Sequence, residues 1–292
     1  AAYENALKIY TLKLAPVEYA ATQNLLGNTL HKLAELDKNP EVCHKAILAY
    51  KEALKVNTLQ SFPLQFALTQ KNLGVAYQTL AKIEEKAENC KRAVGAFNEA
   101  IIVYRLKAPI QHAIIQNKMG QVYITLAEVE DKALNCKRAI ECILDALKVR
   151  TLENFPMQYA SSQFHLGNAS YMLAEAEEPA LNCRNAITAF EEALKVWDME
   201  RFPAEYAMTQ NNLGNAYLRL AQIDAKTGNF QKAIAAYEEN LKVNTWQLAP
   251  LEFARTQSNL GLAFSMLADI DDKVGNCRRA IKSFREALKV YT

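Results

Sequence analysis

The chain has 292 residues, 50% apolar and 23% charged, the make-up of a soluble folded protein with enough apolar residues for a large core or a long array. Its 34 basic and 32 acidic side chains leave a net charge of +2 and no long run of one sign, so the basic stripe that nucleic-acid binding needs is missing. No apolar run reaches the length of a membrane span, and no membrane partner is expected.

The first residues, Ala1-Ala2-Tyr3-Glu4-Asn5-Ala6-Leu7, read as the middle of a helix, without an initiator Met or a signal pattern. They suggest an excerpt of a longer protein. Residues 1–15 parallel the second half of a later segment: Tyr3-Glu4-Asn5-Ala6-Leu7-Lys8 matches Tyr237-Glu238-Glu239-Asn240-Leu241-Lys242. Full units then begin at Pro16, Pro63, Pro109, Pro156, Pro203 and Pro250, giving repeats 16–62, 63–108, 109–155, 156–202, 203–249 and 250–292. Gly27, Gly74, Gly120, Gly167, Gly214 and Gly261 recur at spacings of 47, 46, 47, 47 and 47. A fixed long period is the mark of a repeat architecture. Each Pro suits the first turn of a helix, where its missing N–H costs nothing. An aromatic or His follows three residues later: Tyr19, Phe66, His112, Tyr159, Tyr206 and Phe253.

In the fifth unit, Tyr206, Ala207, Gln210, Leu213, Gly214, Tyr217, Leu220 and Ala221 recur at three- and four-residue steps, which predicts a first helix from Pro203 to about Ala225. A mid-helix glycine costs about 1 kcal/mol against Ala. Its return in every unit implies that the paired helix approaches closely there. Asn89, Asn135, Asn182, Asn229 and Asn276 stand where a second helix should start and are expected to be N-caps. Gly228 and Gly275 just before suit a left-handed helix end. Ala233, Ile234, Tyr237, Asn240, Leu241 and Val243 form the stripe of the second helix. A linker of about seven to ten residues then leads to the next unit. The one shorter unit has lost its residue in that linker, at Arg105-Leu106-Lys107-Ala108, which should leave both helices intact.

Cys43, Cys90, Cys136, Cys183 and Cys277 share one slot that Phe230 takes in the fifth unit, so the slot is one of apolar packing. Equivalent points of stacked units lie about 10 Å apart, too far for a disulfide. With Cys142, all six are expected to be reduced, which favours a cytoplasmic setting. No CxxC or HxxxH pair supports a metal, and no cofactor is expected.

The combination Gln210, Leu213, Gly214, Tyr217, Ala233 and Tyr237, repeated as Gln70, Leu73, Gly74, Tyr77, Ala93 and Phe97, resembles the tetratricopeptide repeat, whose unit reads W-x2-L-G-x2-Y, then A-x3-F and P. Gln replaces the Trp in all six units, and the period is longer than the family's, as in the kinesin-light-chain type and in arrays of bacterial and archaeal signalling proteins. The resemblance implies an all-α, right-handed superhelical solenoid of stacked antiparallel helix pairs, with first helices lining a groove. Carried onto this chain, the family's groove positions fall on Asn24, Asn28, Lys71, Gln78, Asn117, Gln121, Asn168, Asn211, Asn215 and Arg255. Asn both donates and accepts, so a row of them can bind the backbone of an extended peptide; it can equally solvate the face or tie neighbouring first helices together. Asn168, Asn215 and Arg255 resemble part of the clamp that some family members use for a terminal carboxylate, but Phe164 stands where the leading Lys belongs and Asn259 where the second cation does. Phe164, His165, Tyr171 and Met172 instead suggest a local apolar spot, with core packing the alternative for some of them.

First-helix ends are acidic (Glu84-Glu85, Glu128, Glu130-Asp131, Glu177-Glu178) and second-helix starts are basic (Lys91-Arg92, Lys137-Arg138, Arg184). Each sign opposes its own helix dipole. Pairing across the turn, or between neighbouring units, would offset this and set stacking register. Changing Lys91 and Arg92 to Glu should therefore lower the melting temperature, and an unchanged value argues against the pairing. His31, His44, His112 and His165 lie in different units, and no catalytic set emerges. The function expected is that of a non-catalytic scaffold for a protein or peptide ligand. The alternative is a spacer, or self-association through uncapped ends.

Overall fold

A computed structural model describes residues 2–224 and 226–291; Ala225, the expected end of the fifth first helix, lies outside them. All regular structure among the described residues is α-helix. Two compact units divide the chain at Val149 and Arg150.

In the first unit, α1 (Ala2–Ile9) is followed by three hairpins: α2 (Pro16–Asp37) with α3 (Pro40–Leu54), α4 (Pro63–Leu80) with α5 (Lys86–Lys107), and α6 (Pro109–Ala127) with α7 (Lys132–Leu147). Each helix packs on the next, and the first helices α2, α4 and α6 also meet in sequence. The core runs through all three hairpins, with Tyr50, Leu80, Phe97, Ile115 and Met119 buried. The second unit repeats the plan with α8 (Pro156–Leu173) and α9 (Pro179–Leu194), α10 (Pro203–Asp224) and α11 (Thr227–Val243), and α12 (Pro250–Leu267) and α13 (Lys273–Tyr291). Phe190, Trp197, Tyr217, Tyr237, Leu260 and Phe264 form its core. Contacts between near neighbours alone are what make a stack of hairpins quasi-one-dimensional.

Pro opens all six first helices. The residue before it is driven out of the helical region: Ala15, Phe62, Phe155 and Ala249 sit at φ between −140° and −146°. The recurring glycine has its close approach. A Cβ built on it would lie 2.5–2.7 Å from a second-helix side chain, Ile143 in the third hairpin and an aromatic ring in the other five.

The turn inside each hairpin differs from expectation. The Asn residues expected as N-caps lie within the first turn of the second helix and donate backwards. Asn89, Asn135, Asn182 and Asn276 give their Nδ2 to the carbonyls of Glu84, Glu130, Glu177 and Asp271, at 2.7–3.0 Å. Asn229 gives its Nδ2 to the Asp224 carboxylate. These four carbonyls lie in the turn, three to four residues past the end of the first helix, so the Asn side chains fasten that turn to the start of the second helix. A true side-chain cap stands in the first hairpin, where Asn39 Oδ1 accepts from the N–H of Glu41 and Val42. The left-handed turn residue is also not glycine: Lys38, Glu85, Asp131, Glu178 and Asp272 take φ of 36–49°, and no described glycine has positive φ. Gly228 and Gly275 are inside α11 and α13.

The linkers between hairpins are shaped by a hydroxyl or carboxylate accepting from the N–H three residues on, as Thr11, Thr58, Thr151, Asp198 and Thr245 do. Arg105 occupies that place in the shorter unit. With no such acceptor, α5 continues through the expected linker to Lys107, and Ala108 alone separates it from α6. The deletion thus lengthened a helix rather than leaving both unchanged.

The aromatic three residues after each Pro has a polar task. The hydroxyls of Tyr19, Tyr159 and Tyr206 donate to Glu52, Glu192 and Glu239 on the paired helix at 2.7–2.8 Å. Lys55, Lys195 and Lys242 bind the same carboxylates from one turn away and, with the tyrosines, hold them below the usual carboxylate range. In the third hairpin His112 and Gln116 face Asp145 instead. Phe66 and Phe253 carry no hydroxyl. Tyr206→Phe should accordingly fold normally and cost about 1 kcal/mol, read from the urea midpoint.

The acidic and basic clusters pair between neighbouring hairpins. His44 meets Glu84 at 2.6 Å, and Lys86 and Lys91 meet Glu128 and Glu130 at 2.9 Å. Arg92 stays on its own hairpin, at Glu85 and Glu88. Such exposed pairs contribute about 0–1 kcal/mol each.

Candidate functional site

Within each unit, successive first helices meet along the face where the candidate groove residues fall. In the first unit several of them bond one another across helices. Asn28 Oδ1 accepts from Tyr50 Oη at 2.8 Å and from Asn72 Nδ2 at 3.1 Å, joining α2 to α3 and α4. Gln78 Nε2 donates to Gln121 Oε1 at 3.3 Å, joining α4 to α6. Asn24 Nδ2 reaches back to the Ala20 carbonyl, and its Oδ1 is buried with no partner among the described residues. Asn117 is buried. Lys71 is half-buried, and the loss of water holds its ammonium below the ordinary Lys value.

His31 lies on the same face. It is buried in α2, with Nε2 2.9 Å from Thr79 Oγ1 of α4 and 3.8 Å from Glu35. Burial holds its pKa below the ordinary 6.5; the Glu35 carboxylate pulls it up and the Lys118 ammonium pushes it down. The unfolded chain therefore takes the proton first. His31 should support stability above pH 6.5 and lose that support as pH falls from 6.5 towards the lower folded value. His31→Gln, which keeps a partner for Thr79 without titrating, should flatten the thermal-stability curve between about pH 7 and about pH 5.

In the second unit the face opens into a cavity of about 720 Å³ between α10, α11 and α12. Asn211, Asn215 and Arg255 line it together, beside Asn240, Asn244 and Asn259. Asn215 Oδ1 accepts from Tyr237 Oη at 2.8 Å and from Asn259 Nδ2 at 3.2 Å. Asn168 Oδ1 accepts from Asn212 Nδ2 at 2.9 Å, and Asn211 Nδ2 donates on to Asn212 at 3.3 Å. That chain of donors fixes the orientation of Asn211 and leaves its Oδ1 buried and unpartnered. Arg255 is exposed at the rim with Glu252, and neither side chain bonds another described residue. The anticipated apolar spot is core where Phe164 is concerned: it is buried against Phe190 and Trp197, with ring centroids 5.9 and 5.7 Å away.

Of the Asn donors of these bridges, sequence reasoning places Asn259 only at a clamp cation's position and passes over Asn72 and Asn212, though all three stand two residues before a repeat glycine. It also passed over Asn240, which interrupts a slot filled by Ala53, Ala100, Ala146, Ala193 and Ala287 in the other second helices. The thiols are free, and burial pushes Cys43 and Cys90 up to about 11 and Cys142 to about 12, far from reactive thiolates. Among the described residues no helix is long and apolar enough to cross a membrane.

Residues 171–239 match the family model described as tetratricopeptide repeat. Among curated proteins there is no match. Among solved structures, BtubC (BKLC) from P. vanneervenii is 18% identical, with 88% of this chain and 91% of that one covered and a TM-score of 0.56. The C-terminal part of a TPR repeat-containing protein from Cytophaga hutchinsonii is 14% identical over 99% of each chain, with a TM-score of 0.51. MamA is 25% identical, covering 70% of this chain and 93% of its own, with a TM-score of 0.45. This chain is similar in fold to BtubC and to the Cytophaga protein.

Proposed function

We propose that this chain, with its tetratricopeptide-repeat match over residues 171–239, serves as a non-catalytic scaffold, holding an extended segment of a partner protein against its first helices. The observation that carries this reading is the cavity between α10, α11 and α12, where a buried acceptor, Asn211 Oδ1, and a free cation, Arg255, line one opening. A buried acceptor without a donor is costly, and a ligand N–H placed there removes the cost. A peptide backbone supplies such N–H groups at regular steps, and a carboxylate on it would pair with Arg255.

The test is selection of random dodecapeptides on the immobilised chain. Peptides should be enriched, and replacing Asn211 and Arg255 by Ala should weaken each of them about tenfold or more, about 1.4 kcal/mol, at unchanged melting temperature. No enrichment, or enriched peptides indifferent to both changes, overturns the reading. Asn168 and Asn215 are poor choices for this test, because their oxygens tie helices together.

A further inference from the structure

Asn240 is the one polar residue in a slot that five other second helices fill with buried Ala. It is itself only 1% exposed, so its polar atoms must be satisfied inside the protein. They are, by three elements around the cavity. Its Nδ2 donates to the Ala207 carbonyl of α10 at 2.7 Å. Its Oδ1 accepts from Thr256 Oγ1 of α12 at 2.9 Å and from Asn244 Nδ2, at the end of α11, at 3.4 Å. Thr256 is diverted to do this: the equivalent Thr22, Thr69 and Thr209 each give the hydroxyl to the carbonyl four residues back on their own helix. Ala207 stands one turn before Asn211, so the tie to α10 is one helical turn from the residue that carries the unpartnered oxygen. A second departure from the repeat lies at the same opening. Arg255 fills a slot that holds Ala21, Leu68, Ile114, Ser161 and Met208 elsewhere.

We propose that Asn240 is a positioning residue, setting the spacing of α10 and α12 so that this cavity takes an extended peptide whose main-chain N–H donates to Asn211 Oδ1 and whose acidic side chain meets Arg255. The inference rests on the scaffold reading above and adds to it a location, a ligand chemistry and a residue whose polar groups bond within the fold.

Asn240→Ala restores the residue of the other five repeats. Thr256 can then turn to the Glu252 carbonyl as its counterparts do, so the variant should fold with its melting temperature nearly unchanged. The probes are dodecapeptides selected on the wild-type chain, each scanned with N-methyl groups along its backbone and with Asn or Gln in place of Asp or Glu. On the wild type, one N-methyl position and one acidic position should each cost about tenfold in Kd. Asn211→Ala should abolish the N-methyl effect, and Arg255→Ala the acid effect. Asn240→Ala should weaken the parent peptide and flatten the N-methyl profile at that same position, which a general loss of stability does not do. Should Asn240→Ala prove unstable, Thr256→Val removes one of the three ties and should flatten the profile in part. A profile unchanged in both variants, or affinity falling equally for every methylated peptide, overturns the role of Asn240 and leaves the scaffold reading standing. Failure to select any peptide overturns the scaffold reading itself.

Discussion

Gly214→Ala should destabilise the chain by about 2 kcal/mol, although Ala is the better helix former by about 1 kcal/mol. The added Cβ would lie 2.6 Å from Cε1 and 2.7 Å from Cδ1 of Tyr237. That ring cannot step aside, because it is fully buried and its hydroxyl is fastened to Asn215 Oδ1 at 2.8 Å. The overlap therefore has to be absorbed by moving α10 away from α11, at the upper end of the range for overpacking. Gly95→Ala is the control. It sits on the exposed side of α5 with nothing within 4 Å of its added Cβ, and it should stabilise by about the full helix-propensity difference, about 1 kcal/mol. Urea midpoints for the two variants should move in opposite directions. A neutral Gly214→Ala would mean that the period of the glycines does not reflect the approach of the second helix.

That contrast shows what a repeat makes legible. Pro16, Pro63, Pro109, Pro156, Pro203 and Pro250 each open a helix, because a proline at a first turn is a local signal that no tertiary contact contradicts. The glycine slot was legible for the same reason, being costly in a helix unless something lies against it. The turn differs from expectation where one residue type has two uses. An Asn near a helix start can accept from the new helix or donate back to the turn before it, and Asn89 and its counterparts donate. The linker at Arg105 differs from expectation because the shorter unit, besides missing a residue, has Arg105 in the place of the Thr that turns the chain, as Thr58 does. The groove was only half legible. Position relative to the glycine selected Asn28, Asn168 and Asn215, but it could not say whether their oxygens face a ligand or the neighbouring helix. The break at Asn240 was visible in the repeat alignment, and its meaning needed the three partners around it.

Asn215→Leu should cost about 2 kcal/mol, more than its half-buried place at the cavity edge suggests. Its Oδ1 is the acceptor for Tyr237 Oη and for Asn259 Nδ2. Removing it strands a phenol at 0% exposure, where water cannot replace the lost partner. Tyr237→Phe alone should be nearly neutral, because it leaves the half-exposed Asn215 to water and to Asn259. The double variant should recover most of the loss, a positive coupling that a double-mutant cycle reads directly. The fourth repeat is already that far along, with Phe190 beneath Asn168 and no hydroxyl to satisfy. If Asn215→Leu were as stable as the wild type, the Tyr237 hydroxyl would have a substitute partner, and Asn215 would be released for a ligand. If it is destabilised and rescued by Tyr237→Phe, its oxygen belongs to the fold, and recognition of a peptide N–H and an acidic side chain at this cavity falls to Asn211 Oδ1 and Arg255.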